Sequence, residues 1–140
     1  MASDTPEKKP APKRRRTPSY VKNLRGVRNW KEAREWLQWR SIEDVEAMTP
    51  DLAGVPRGKM MPSVKFTTET SLALPNAVFR QTITGDYPEE TDEFQHDPLD
   101  SDLKLMPDLS TLSVVPWETD PTAQVICDIV STSGKPILYT

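Results

Sequence analysis

Eight carboxylates lie between Asp86 and Asp102, inside a stretch from Gln81 to Leu103 that contains no lysine or arginine. Like charges gathered this way concentrate a cationic ligand. A solvated surface loop has the same composition, and nothing in the sequence aims these carboxylates at one point, so the solvated loop is the preferred reading. His96, the one histidine, sits in this polar run with no second histidine or cysteine near it. A metal ligand needs partners, so His96 reads as solvated. The one cysteine, Cys127, alternates with Val125 and Ile129, which reads as a buried, inert thiol. A single cysteine excludes a disulfide within the chain, and a zinc site cannot be built from Cys and His alone. Asp51, three residues before Gly54, reads as a turn former accepting backbone hydrogen bonds rather than a catalytic carboxylate. Ser110 and Thr111 follow Asp108. They could touch a phosphate, but a capped turn is the preferred use.

The charge is divided along the chain. Residues 1–40 carry 12 Lys/Arg against 4 Asp/Glu, and residues 41–140 carry 6 against 17. This is the pattern of a basic arm on an acidic body. Met1–Arg16 is charged and proline-rich and cannot offset its own ordering entropy, so it reads as disordered. The whole of residues 1–28 is expected to stay out of the core, with one domain over 29–140. The cations of Lys8–Arg16 could bind nucleic acid, an anionic membrane or an import receptor. No aromatics are interleaved for base stacking, so a solubilising tail is preferred and a nucleic-acid partner is not expected. No apolar run approaches the ~20 residues of a membrane span. No apolar segment follows the polar first residues, so no secretory signal is expected. A reducing cytoplasm fits this and the lone cysteine.

The elements that must position these residues can be placed. Asn29 is a good N-cap, Glu32 stands three residues on, and Trp30, Ala33 and Leu37 share one face, which predicts a helix over about Trp30–Trp39. Arg40 and Ser41 suit its end. Trp30, Trp36 and Trp39 on this helix read as core and partial cover. Ile42–Thr49 alternates, with Val45 and Ala47 opposite Glu46 and Met48. Asp51 and Gly54 make a turn, with Gly54 at positive φ, and Val55–Met61 returns as a strand that Pro56 confines to an edge or a strand start. A short helix is expected from Ser63 to about Glu69, and a third strand over Ala77–Ile83. Asp102–Met106, Thr111–Val115 and Thr122–Val130 read as strands, Ser131–Gly134 as a turn and Lys135–Tyr139 as an extended end. Strands outnumber helices, which argues an α+β fold with a mixed or antiparallel sheet.

The order of three segments resembles a known family. Asp51–Pro62 (DLAGVPRGKMMP) is similar to the D-x-x-G, then R-G-K hairpin in the amino-terminal domain of glutamine synthetase relatives, γ-glutamylpolyamine synthetases most of all. Asp102–Trp117 (DLKLMPDLSTLSVVPW) resembles the L-x-P-D-x-S-T and P-W signature of that domain. Ala123–Asp128 with Gly134-Lys135-Pro136 resembles its closing strand and turn. The resemblance covers about residues 30–137. It implies a β-grasp-like mixed sheet with one to two helices. The hairpin and the last third should share one sheet, with a helix covering one side.

The resemblance also implies an activity for the parent family: ATP phosphorylates the glutamate side chain, and ammonia or an amine displaces the phosphate. ATP and magnesium or manganese serve the full-length enzyme, bound by the larger catalytic domain, so no cofactor or metal is expected in this chain. Subunits form rings, and a β-grasp loop lends polar groups to a neighbouring subunit's site. The matching segment is Phe79–Asp86, and the implied contributors are Thr82, Asp86 and Asp102. Amine-using relatives often carry an aspartate where Thr82 stands, and Asp86 could substitute for it. The chain ends at Thr140, where the family continues into its catalytic domain, so a fragment inactive by itself is expected. Its partners would be that catalytic domain or full-length ligase subunits. Two other readings stand beside this one: a non-catalytic interaction module using sheet edges, and nucleic-acid binding through the basic arm, which the body's −11 balance disfavours.

Overall fold

Helix α1 spans Trp30–Trp39, as its caps predict. The Asn29 side chain accepts from the Glu32 backbone N–H at 3.0 Å. The Glu32 carboxylate reaches back to the Arg28 N–H at 3.0 Å, one residue earlier than a capping box would place it. Ala33, Trp36 and Leu37 are buried. The helix closes without a glycine. Ser41 takes φ +53°, and the N–H groups of Ser41 and Ile42 return to the carbonyls of Gln38 and Leu37, a Schellman ending.

The computed structural model describes residues 17–87 and 102–137. After α1 come strands β1 (Asp44–Pro50) and β2 (Pro56–Pro62), helix α2 (Ser63–Glu69), and strands β3 (Leu72–Pro75), β4 (Asp102–Pro107), β5 (Ser113–Val114) and β6 (Thr122–Val130). The sheet order is β2-β1-β6-β4-β3, with β5 pairing β6. β1 and β2 form the expected hairpin, and Pro56 opens the edge strand β2. β1 runs parallel to β6, with Val45 beside Ala123 and Ala47 beside Val125. β4 is antiparallel to both β6 and β3. The sheet is therefore mixed, two helices accompany it, and the fold is α+β. The hairpin and the last third do share one sheet, with β1 lying between β2 and β6.

Alternation decides which side is covered. Val45 and Ala47 of β1, Leu72 and Leu74 of β3, Leu103 and Leu105 of β4, and Val125, Cys127 and Ile129 of β6 are buried. They pack in one core with Trp36 and Leu37 of α1 and Phe66 of α2. Trp30 tilts onto Phe66, ring centroids 5.1 Å apart. Each buried Val, Leu, Ile or Phe among them contributes about 1.5–3 kcal/mol by leaving water. On the opposite face Met60, Met106 and Ile126 remain exposed.

Three expectations are corrected. Ala77–Ile83 is not a strand: Asn76–Arg80 forms a 3-10 turn and the third strand is Leu72–Pro75. No residue of Asn76–Arg80 is fully buried, whereas Leu72 and Leu74 alternate into the core. Thr111–Val115 is a strand only at Ser113–Val114. Asp108 caps the Ser110 N–H at 2.9 Å and begins a 3-10 turn over Leu109–Thr111, the capped turn expected there. The Thr111 hydroxyl, not its backbone, receives the Ile126 N–H at 2.8 Å. Finally, residues 17–28 do not stay out of the core. Ser19–Lys22 is a 3-10 turn, and Val21 and Val27 are buried. The Asn23 carbonyl accepts the Trp36 indole N–H at 2.9 Å. Two apolar residues among cations gave no periodic signal. The arm over residues 1–16, His96 and most of the acidic run lie outside the described residues.

Candidate functional site

The topology brings the implied residues to one end of the sheet. The β1–β2 turn, the end of β3, the start of β4 and the end of β6 all meet there, because β1 and β6 run towards it and β4 runs away from it. Asp102 opens β4 directly opposite Pro75, which ends β3. The segment carrying Thr82 and Asp86 leaves from Pro75.

Asp51 holds the hairpin turn at this end. One carboxylate oxygen accepts the N–H groups of Ala53 and Val55, each at 2.9 Å. Gly54 follows at φ +78°, which a side chain would oppose. The other oxygen meets Arg57 Nε at 3.1 Å. The Val55 N–H foremost, aided by the Arg57 guanidinium and the Ala53 N–H, holds the Asp51 carboxyl below its usual range. The turn-forming role read from the sequence is borne out.

Arg57, on the returning strand of the same hairpin, has a role not assigned from the sequence. It is 9% exposed. Beyond Asp51, its Nη2 donates to the carbonyls of Gln81 at 2.9 Å and Thr82 at 3.2 Å. A signal was available: Arg57 shares strand parity with the buried Met61, so it faces inward, beside a turn that supplies a carboxylate.

The segment after Asn76–Arg80 makes a turn of its own. The Thr82 N–H donates to the Asp86 carbonyl at 2.8 Å, and the Gly85 N–H to the Thr82 carbonyl at 3.0 Å. The Thr82 hydroxyl accepts the Asp86 N–H at 3.1 Å. The Thr84 hydroxyl donates to the Asp86 carboxylate at 2.9 Å. Thr82 is half-buried, and Asp86 and Asp102 are exposed. The site is thus a rim of carboxylate and hydroxyl groups on a braced turn. Among the described residues no group of three His, Cys, Asp or Glu is placed to hold a metal ion.

A cryo-EM structure of Plasmodium falciparum glutamine synthetase shares the fold with a TM-score of 0.57 at 17% identity, over 81% of this chain and 20% of that one. Human lengsin is 33% identical over 110 residues, 77% of this chain and 21% of lengsin. A glutamate–isopropylamine ligase from a Pseudomonas species is 30% identical over 109 residues, 76% of this chain and 24% of the ligase. Glutamine synthetase from Methanocaldococcus jannaschii is 30% identical over 115 residues, 77% of this chain and 23% of that enzyme. Sequence and fold both match a glutamine synthetase-family amino-terminal domain. No family model matches the chain. The chain spans about a fifth to a quarter of the length of these relatives.

Other residues of the domain take structural roles. Cys127 is buried, and burial foremost, with Asp128 beside it, pushes its thiol up to about 12. Trp36 is wholly buried, while Trp39 is 51% exposed. The Arg40 guanidinium lies 4.6 Å from the Trp36 ring centroid and 5.2 Å from that of Trp39. Among the described residues no helix is long and apolar enough to cross a membrane.

Proposed function

We propose that this chain is the amino-terminal β-grasp part of an ATP-dependent ligase that joins glutamate, through its side-chain carboxyl, to ammonia or an amine. The observation that carries this reading is the match of three-quarters of the chain to about a quarter of an amine-using ligase, supported by Asp102 opening β4 opposite Pro75, from which the segment carrying Thr82 and Asp86 leaves. ATP and magnesium or manganese would be held by the catalytic part. This domain would lend hydroxyl and carboxylate groups to the amine side of a site completed by another subunit of a ring. A polyamine suits the carboxylates better than ammonia does, because several cationic centres gain from them. The lone buried thiol suits the cytoplasm.

The test is a chimera in which residues 17–137 replace the corresponding domain of the Pseudomonas ligase. The expected result is an assembled oligomer that releases ADP only with glutamate and an amine, while the 140-residue chain alone releases none. A chimera that assembles yet never turns over ATP, whatever the amine, would count against the reading.

The exposed Met60, Met106 and Ile126 on the open sheet face favour a second reading, a non-catalytic module that binds and modulates full-length ligase subunits. Pull-down of a full-length relative with no turnover in any chimera would select it.

A further inference from the structure

We propose that Arg57 is the positioning residue of the candidate site, a buried guanidinium that fixes the Phe79–Asp86 turn to the β1–β2 hairpin. This deepens the ligase reading and rests on it only for the meaning of the turn, not for the clamp itself.

The turn's own hydrogen bonds close it on itself. Thr82, Gly85 and Asp86 bond one another, and the Thr84 hydroxyl joins them. None of those bonds attaches it to the sheet. Arg57 does, across 24 and 25 positions of sequence, through the carbonyls of Gln81 and Thr82. Phe79 adds a second link, since it lines a small cavity of about 160 Å³ with Asp51, Leu52 and Ala53. The hairpin turn and the candidate turn are therefore neighbours with one cation between them.

The chemistry of the three partners explains why this residue is an arginine. Asp51 must already spend one oxygen on the Ala53 and Val55 N–H groups. Its second oxygen fixes Arg57 Nε, and the planar fork then aims Nη2 at two backbone carbonyls. A guanidinium removed from water needs all these acceptors, and the carbonyls need a donor that reaches past the sheet edge. A lysine has the charge but not the fork: its three donors share one nitrogen, whereas the carboxylate and the two carbonyls are spaced for Nε and Nη2. Asp51 thus fixes Arg57, Arg57 fixes the backbone of Gln81 and Thr82, and that backbone sets where the Thr82 hydroxyl and the Asp86 carboxylate stand. Arg57 acts on the site through the turn and touches no ligand itself.

The experiment is amide hydrogen exchange by NMR on the full 140-residue chain, comparing wild type with Arg57→Gln and Arg57→Lys. In Arg57→Gln the Thr82, Gly85 and Asp86 amides should exchange about ten- to hundredfold faster, the loss expected for two charge-assisted hydrogen bonds. The Val125, Cys127 and Ile129 amides of β6 should stay within about twofold. Arg57→Lys should restore any loss in β6 yet leave the turn fast. The carbonyl carbon shifts of Gln81 and Thr82 should move in both variants. Turn amides as slow as wild type in Arg57→Lys would overturn the proposal, as would a rise in turn and β6 exchange by the same factor in that variant. Arg57→Lys keeps the test decisive should Arg57→Gln not fold. Because the readout is exchange rather than activity, a failed clamp leaves the ligase reading standing, and a failed chimera leaves the clamp standing.

Discussion

Gly58 stands opposite Met48 across the β1–β2 hairpin, so close to that strand's backbone that a methyl group built on Gly58 would sit 2.0 Å from the Ala47 carbonyl oxygen. It would also lie 2.8 Å from Met48 Cα. The constraint is backbone against backbone, so no side chain can swing aside. Gly58→Ala should therefore destabilise the domain by about 1–3 kcal/mol, the range for overpacking a tight site. Urea midpoints at neutral pH measure this. A change below the ~0.5 kcal/mol of an ordinary surface substitution would show that the strands can part there without cost.

The Schellman ending of α1 offers the opposite effect. Ser41 holds φ +53°, a conformation that a residue with a Cβ adopts at some cost. Its N–H bond to Gln38 and the Ile42 bond to Leu37 use only backbone. Ser41→Gly should keep both and raise stability by about 0.5–1 kcal/mol, less the greater entropy a glycine brings to the unfolded chain. Thermal melts should show the gain as a rise of a few degrees. An unchanged or lower melting temperature would mean that the strain at Ser41 is negligible.

Cys127 should be silent towards thiol reagents while the domain is folded. Its thiol is buried and pushed up to about 12 by burial, so little thiolate exists to attack at pH 8. Labelling should track opening of the β6 core and speed up about a thousandfold or more in denaturant, in line with ordinary folding constants. The same shift carries a pH dependence. A folded value above the unfolded one lets the thiol favour the folded state below pH about 9 and oppose it increasingly as the pH climbs towards 12. Cys127→Ala should lessen the alkaline loss of stability, and fast labelling in native buffer would refute the buried assignment.

How much of this could be read in the sequence depended on whether a signal was local. The Asn29 cap, the Asp51 turn and the alternation through Thr122–Val130 are decided by residues within a few positions of each other, and all three stand as read. Leu72–Pro75 is too short for its two inward leucines to register as a period, while Ala77–Ile83 has β-forming residues but no partner strand. Val21 and Val27 are core only because α1 and the segment near Leu112 close over them. The candidate site divides the same way. The resemblance implies Thr82, Asp86 and Asp102; the structure pairs Asp102 with Pro75 at one sheet end and ties the Thr82 backbone to Arg57. Arg57 was missed because its two carbonyl partners lie 24 and 25 residues away and carry no side-chain signature.

Asp51 and Asp108 should account for separate parts of the acid sensitivity. The Val55 N–H foremost lowers the Asp51 carboxyl, with Arg57 and the Ala53 N–H assisting. The Ser110 hydroxyl and N–H lower Asp108. A folded value below the unfolded one gives stability that is full above the usual carboxylate range. It is lost as the pH falls through the folded value. For both residues that window opens near pH 4, at their ordinary value of 3.8, and extends below it. Asp51→Asn leaves an amide oxygen able to accept from Ala53 and Val55, so the hairpin turn should persist, while the ionic bond to Arg57 is lost. The variant should be less stable than wild type at pH 7, with the gap closing as the pH drops from about 4 to 2. Asp108→Asn should show the same convergence independently, because the two carboxylates share no hydrogen-bond partner. Urea denaturation at half-unit pH steps measures both gaps. A gap for Asp51→Asn that stays constant from pH 7 to 2 would mean that its charge contributes nothing, and that the carboxylate serves the turn by hydrogen-bond geometry alone.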